Sequence, residues 1–378
     1  MTALDRALDA HTAELTFPAL PTGLDTPRVI LDLARMDANI RRLQREMDAR
    51  GISLRPHAKT HKSVAVARRQ LEVGARGITV GTLGEAEVLA AAGIDDVFLA
   101  YPVWAEGPKA ARLRAVRDAM PRFRVGVDSA AGAARLAAAI AGGGTPLTVL
   151  VEIDSGNHRT GVIGPQAALE VARAARSAGL VVEGVFSHGG HGYRVGGAEP
   201  AGADEVRALG VAAAALQGGG FEAPVVSAGS TPTMLTAATG DVTEMRAGTY
   251  VYGDRQQWAL GSIPADGCAI ALAATVVSVF DDRLVVDAGA KALTKDRAEF
   301  LTGFGAIVGY PQLMIERVND YHGVVPAPPG AARPALGEVV AIVPNHVCPV
   351  IDLADSLVAV GADGSVEEWP VDARGRSG

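Results

Sequence analysis

Cysteine is almost missing from this chain: among 378 residues only Cys268 and Cys348 carry a thiol. Two thiols build no disulfide framework, so they fit a reducing compartment and leave each sulfur for packing or for a metal. No apolar run approaches the roughly 18 residues that a bilayer span requires. The early Asp5, Arg6, Asp9 and Glu14 interrupt any signal-peptide core, and the expectation is a cytoplasmic protein. An excess of positive charge is lacking too. With a formal net charge of −7, nucleic acid and anionic membrane are poor partners and small molecules are better ones. No Gly-x-Gly-x-x-Gly follows a first strand, which removes support for an open dinucleotide-binding sheet.

What is present is apolar content of 48%, enough for a large core, in a length that suits two domains. Residues 1–27 are weakly patterned and read as a short helix and an extended arm. A strand at 28–33 precedes Met36, Ile40, Leu43 and Met47, whose spacing is that of one face of an amphipathic helix. Eight further strand patterns follow at 52–54, 77–80, 97–101, 123–127, 147–153, 181–186, 225–228 and 244–250. Alanine-rich helical stretches lie between most of them. Alternation of this kind predicts a parallel (β/α)8 TIM barrel over 28–262. From about Pro264 short β-type runs at 269–280, 283–287, 337–343 and 356–360 predict a C-terminal all-β domain over 263–378. The strand at 28–33 is the odd one out, free to join that second domain.

The mouth of a parallel barrel collects the residues at the C-terminal end of each strand. After 52–54 comes PHAKTHK, with Lys59 between His57 and His61. A lysine there, desolvated and flanked by cations, becomes an imine-forming amine at neutral pH, whereas most lysines are merely solvated. After 147–153 come Asp154, Asn157, His158 and Arg159; after 181–186 come His188, His191 and Tyr193. SAGSTPT at 227–233 offers hydroxyls and backbone N–H groups at an expected helix start, a fit for phosphate, with Gly248 and Thr249 completing the cup. An amine facing a phosphate cup is the layout for pyridoxal phosphate. Late in the chain, a strand through His346-Val347-Cys348 would put two metal ligands on one face.

Together PHAKTHK, SGNHRTGV, SAGSTPT, EMRAGTYVYGD and NHVCP resemble the D-threonine aldolase and D-serine dehydratase family of alanine-racemase-like, fold type III pyridoxal-phosphate enzymes, over about residues 25–362. The resemblance implies a Schiff-base Lys59 and Arg159 facing the pyridine nitrogen, with phosphate contacts from Gly229, Ser230, Thr231, Gly248 and Thr249. It also implies a divalent metal at His346 and Cys348 and a homodimer. His57 is placed beside the cofactor, and His191 or Tyr193 is the candidate base. An arginine at the pyridine nitrogen accepts no proton, which weakens the cofactor as an electron sink. Thiolate with imidazole favours zinc, with manganese or magnesium as alternatives, and this points to dehydration of a D-serine-like substrate. Retro-aldol cleavage of D-threonine or D-3-hydroxyaspartate stays open, as do a racemase and a non-catalytic pyridoxal-phosphate carrier. The stretch 287–295 and His322 are expected near the mouth or at a dimer contact and receive no firm role.

Overall fold

The computed structural model describes residues 15–378. The short N-terminal helix expected early in the chain falls mainly outside the described residues. Residues 15–27 form neither helix nor strand, and Phe17, Leu20 and Leu24 pack against Ile30, Ala273 and Val358. Among the described residues two compact units emerge, one of residues 42–59, 64–248 and 375–378, the other of residues 15–41, 60–63 and 249–374. Their boundary after Gly248 lies earlier than the change of texture at Pro264.

The first unit is the barrel. Its strands are Ser53–Leu54, Ile78–Val80, Val97–Pro102, Arg124–Val127, Thr148–Glu152, Val181–Phe186, Val225–Ala228 and Glu244–Met245. Neighbours in this series pair in parallel from Ile78–Val80 onward, and Ser53–Leu54 pairs with Glu244–Met245. Thr79 N donates to Pro56 O and His57 bridges to Thr79, which closes the ring. Helices Val64–Val73, Leu83–Ala91, Pro108–Ala119, Ala130–Ala139, Pro165–Ser177 and Ala198–Gly218 fill the crossovers. Thr82 and Ser129 cap two of them, accepting from Glu85 N and Gly132 N, while Pro108 and Pro165 open two others, where a missing N–H costs nothing.

The last barrel strand is shorter than its sequence pattern. Thr249 O accepts from both Tyr252 N and Gly253 N, so the chain coils into a 3-10 turn, Thr249–Val251, where extended structure was expected. Inside the barrel Phe98 and Phe186 meet edge to face, with ring centroids 5.0 Å apart. Gly126 makes room for them, because a Cβ there would lie 2.7 Å from Phe186 Cζ.

The second unit is built on a nine-stranded sheet. Arg28–Asp32 lies within it, antiparallel to Ile270–Val279 and parallel to Ser356–Val360. Val339–Pro344 pairs on the other side of Ile270–Val279. One sequence expectation fails here. His346 is the residue before a helix, Val347–Leu353, so the pair does not sit in a strand. Val347 N donates to Asp254 Oδ2 instead of to a neighbouring strand, and that capping contact starts the helix.

Candidate active site

In the barrel, Lys59 sits in a 3-10 turn, Ala58–Thr60, between the first strand and the first crossover helix. His57 Nδ1 accepts from Lys59 N at 3.3 Å, so the imidazole fixes the turn that carries the amine. The charges of Lys59, Arg159 and Arg246 all act on His188. Burial first, and then those three cations, hold its imidazole well below the ordinary range, so it is neutral at physiological pH. Arg159 and His188 share a small cavity with Glu152, Asp154, Ser155 and Asn157. Burial raises the Glu152 carboxyl, against the opposing Thr160 hydroxyl and the Arg159 charge.

Arg246 escaped the sequence reading because it fell inside the strand pattern at 244–250, whereas the strand ends at Met245 and Arg246 is the first residue after it. It is buried, its Nη1 donates to Ser227 Oγ at 2.7 Å and its Nη2 to Ser187 O at 2.5 Å. The guanidinium lies 5.7 Å from the Phe98 ring centre and 5.3 Å from that of Phe186. Ser227 in turn donates to Glu244, which pairs with the fully buried Arg55 at 2.7 Å. A single buried polar chain thus fixes Arg246 from the barrel interior.

SAGSTPT is a turn with no helix behind it, contrary to expectation. Its first N–H groups are engaged within the fold: Gly229 N donates to Glu205 Oε1 at 2.9 Å and Ser230 N to Thr233 Oγ1 at 3.0 Å. Thr233 Oγ1 also donates to Glu205 Oε2 at 2.6 Å. Glu205, fully buried on Ala198–Gly218, therefore ties the turn down. Its signal was present in the sequence, four residues after Ala201 and four before Leu209 on the buried stripe. A Cβ on Gly229, at φ +102, would fall 1.9 Å from Met245 Sδ, so only glycine fits.

His191 Nε2 lies 3.3 Å from Asp204 Oδ2 and packs against Gly156. The Tyr193 ring centre is 6.4 Å from that of His188. His61, in contrast, is a core histidine of the second unit. It is fully buried, accepts from Ser63 N, and meets Tyr252 edge-on at 6.5 Å.

In the second unit, His346 and Cys348 are in side-chain contact at the start of Val347–Leu353. Burial works against a charged imidazole. The Cys348 sulfur, Asp254 and Asp296 outweigh it and push His346 up to about 10. Thr60 Oγ1 lies 3.3 Å from Cys348 Sγ, and Thr249 Oγ1 lies 3.8 Å from it. Thr249, expected at the phosphate, also lies beside the thiol. Neither the stretch 287–295 nor His322 lies in the barrel unit. Asp287 accepts from Thr26 Oγ1 and Thr275 N, a packing role, and His322 is exposed.

A closed parallel barrel with Lys59 on its first strand-to-helix turn and with Arg159 and Arg246 acting alongside it on His188, in a chain that also carries a β unit with an imidazole and a thiol in contact, defines a class: an alanine-racemase-like enzyme. Residues 31–256 match the alanine racemase N-terminal domain and residues 269–360 the putative serine dehydratase domain. The chain is 39% identical to D-threo-3-hydroxyaspartate dehydratase of Delftia sp. (strain HT23), over 92% of this chain and 97% of that one. It is 35% identical to D-threonine aldolase of Arthrobacter sp., over 94% of each chain. A solved structure of a cysteine-to-alanine mutant of D-threo-3-hydroxyaspartate dehydratase in the metal-free form superposes with a TM-score of 0.85, at 36% identity over 92% of this chain and 97% of that chain. The chain belongs to the D-threonine aldolase and D-serine dehydratase family of fold type III pyridoxal-phosphate enzymes.

Both implied groups fit the residues present. Lys59, Arg159 and Arg246 supply the positive charge that an anionic aldehyde cofactor needs, and burial keeps His188 neutral among them. The donor chemistry of imidazole plus thiol suits a borderline-soft cation. Among the described residues no group of three or more His, Cys, Asp or Glu is gathered to hold an ion, so the pair would leave coordination positions open.

Proposed function

We infer that the protein is a lyase that dehydrates and deaminates a D-serine-like β-hydroxy D-amino acid, releasing a 2-keto acid and ammonia. The observation that carries this reading is the Cys348 thiol in contact with His346. Pyridoxal phosphate, when bound, supplies an electron sink for the substrate α-carbon. A divalent cation, zinc before manganese or magnesium, supplies Lewis-acid charge for the β-oxygen. Lys59 holds the cofactor through its amine and, once released, takes the α-proton. Arg159 and Arg246 bind the cofactor ring as permanent cations that accept no proton. His188, kept neutral, takes no charge from Lys59. Gly229, Ser230, Thr231, Gly248 and Thr249 line the phosphate site, with Glu205 and Thr233 holding the Gly229 and Ser230 N–H groups so that the turn is braced and its remaining donors face the anion. His57 keeps the Lys59 turn in place. The reading extends to a cytoplasmic homodimer, in keeping with two free thiols. Among the described residues no helix is long and apolar enough to cross a membrane.

Retro-aldol cleavage is the second reading, favoured by one contact. His191 faces Asp204, an arrangement that suits a base, and Tyr193 stands beside His188. Incubating the purified protein with D-serine, D-threonine and D-3-hydroxyaspartate, with and without chelator, separates the two. Keto acid from D-serine that disappears on chelation is the expected result. Glycine plus an aldehyde would replace the dehydratase with an aldolase.

A further inference from the structure

The chain on either side of His346 is held rigidly by groups remote in sequence. Asn345 is buried; its Oδ1 accepts from Arg255 Nη1 at 3.1 Å and its Nδ2 donates to Gly303 O at 2.8 Å. Its carbonyl accepts from Gln256 N at 3.1 Å. On the other side Val347 N donates to Asp254 Oδ2 at 3.0 Å, and Asp254 Oδ1 caps Arg255–Ala259 through Gln257 N at 2.8 Å. With the backbone fixed, what remains to be set is the imidazole's orientation and which nitrogen carries its proton.

One side chain addresses both. Asp296 Oδ2 makes a short contact with His346 Nδ1. Asp296 arrives there from a strained stretch of chain. Thr294 has φ +67 and ψ 174, a conformation that a β-branched residue rarely adopts. Its hydroxyl accepts from Asp296 N at 2.7 Å, so the strained residue also holds the backbone of the aspartate. Backbone in such a region persists only where its surroundings enforce it.

We propose that Asp296 is a positioning residue for the metal pair: by accepting the Nδ1 proton of His346 it leaves Nε2 as the metal-binding nitrogen. The proposal rests on the reading that His346 and Cys348 hold a divalent cation. A carboxylate on the far ring nitrogen of a metal-bound histidine fixes the tautomer and raises ligand basicity, and losing it commonly weakens metal affinity about 10–100-fold. Asp296 lies half exposed on a loop, so its replacement is not expected to prevent folding.

The test uses the full chain stripped of metal and titrated with zinc against a chelating dye, alongside cobalt(II) absorption spectra. Asp296→Asn should weaken zinc binding about 10–100-fold. It should keep the thiolate-to-cobalt charge-transfer band, because Cys348 still ligates, while shifting the ligand-field bands. Thermal unfolding of the metal-free variant should match that of the parent. If Asp296→Asn binds zinc within about twofold of the parent, with an unchanged cobalt spectrum, the positioning role is refuted. His346→Ala separates the two claims: unweakened zinc binding in that variant overturns the metal pair itself, whereas lost binding in His346→Ala with full binding in Asp296→Asn overturns only the role of Asp296.

Discussion

The barrel unit and the sheet unit assemble their chemistry in different ways. In the barrel, Lys59, Arg159 and His188 each follow a strand of one parallel ring, so topology alone gathers them. In the sheet unit the reactive pair stands at the first turn of a short helix. Its surroundings, Thr60, Thr249, Asp254 and Asp296, come from distant parts of the chain. The electrostatics differ as well. Burial and then the cations around His188 hold its imidazole pKa down, whereas a sulfur and carboxylates around His346 push that imidazole's pKa up. One unit is prepared for an anion and the other for a cation.

The sharpest way to break that contrast is to remove each unit's central atom. Lys59→Ala should abolish the visible absorbance of the bound cofactor and lower turnover about 10³-fold or more, leaving zinc binding intact. Retained colour and turnover would remove the lysine from its role. Cys348→Ala should do the converse. Turnover falls about 10²-fold or more, cofactor absorbance persists, and chelator has no further effect. Full activity of Cys348→Ala in chelator would sever the metal from the reaction.

Smaller effects test how rigid the barrel site must be. Gly229→Ala forces a Cβ onto Met245 Sδ at a φ of +102, and should cost about 1–3 kcal/mol of stability together with cofactor affinity. Unchanged denaturant midpoints would show that the turn yields freely. The smallest expected effect is one of pH. His188 is held below the ordinary histidine range, so its contribution to stability is present above about pH 6.5 and fades as pH falls toward its depressed value. His188→Gln should flatten that acid-side decline in the cofactor-free protein, as read by denaturant midpoints across pH. Parallel curves for the two proteins would mean that neither burial nor the three neighbouring cations depress the ring's pKa.

Most of the barrel was legible beforehand because each strand is a short apolar run between helical stretches, and a parallel ring fixes which end of every strand carries function. The places of Lys59, Arg159 and His188 follow from that rule. Arg246 and Glu205 were not recognised. Arg246 lay inside the strand pattern at 244–250, which ends at Met245, and a glutamate in a helix reads as surface unless its buried neighbours at i−4 and i+4 are weighed. The helix start at SAGSTPT and the strand at His346 were misjudged for a related reason. In both places side chains remote in sequence, Glu205 and Asp254, claim the backbone N–H groups.

By itself the sequence determined the alternation of strand and helix, the β-rich second half and the chemical types available, because periodicity and composition are local properties. Only the tertiary structure decided the barrel's closure through His57 and Thr79, the neutral state of His188 and the carboxylate that faces His346. Those depend on distances between residues far apart in the chain, and a charge or a hydrogen bond responds to distance in space rather than to order along the backbone.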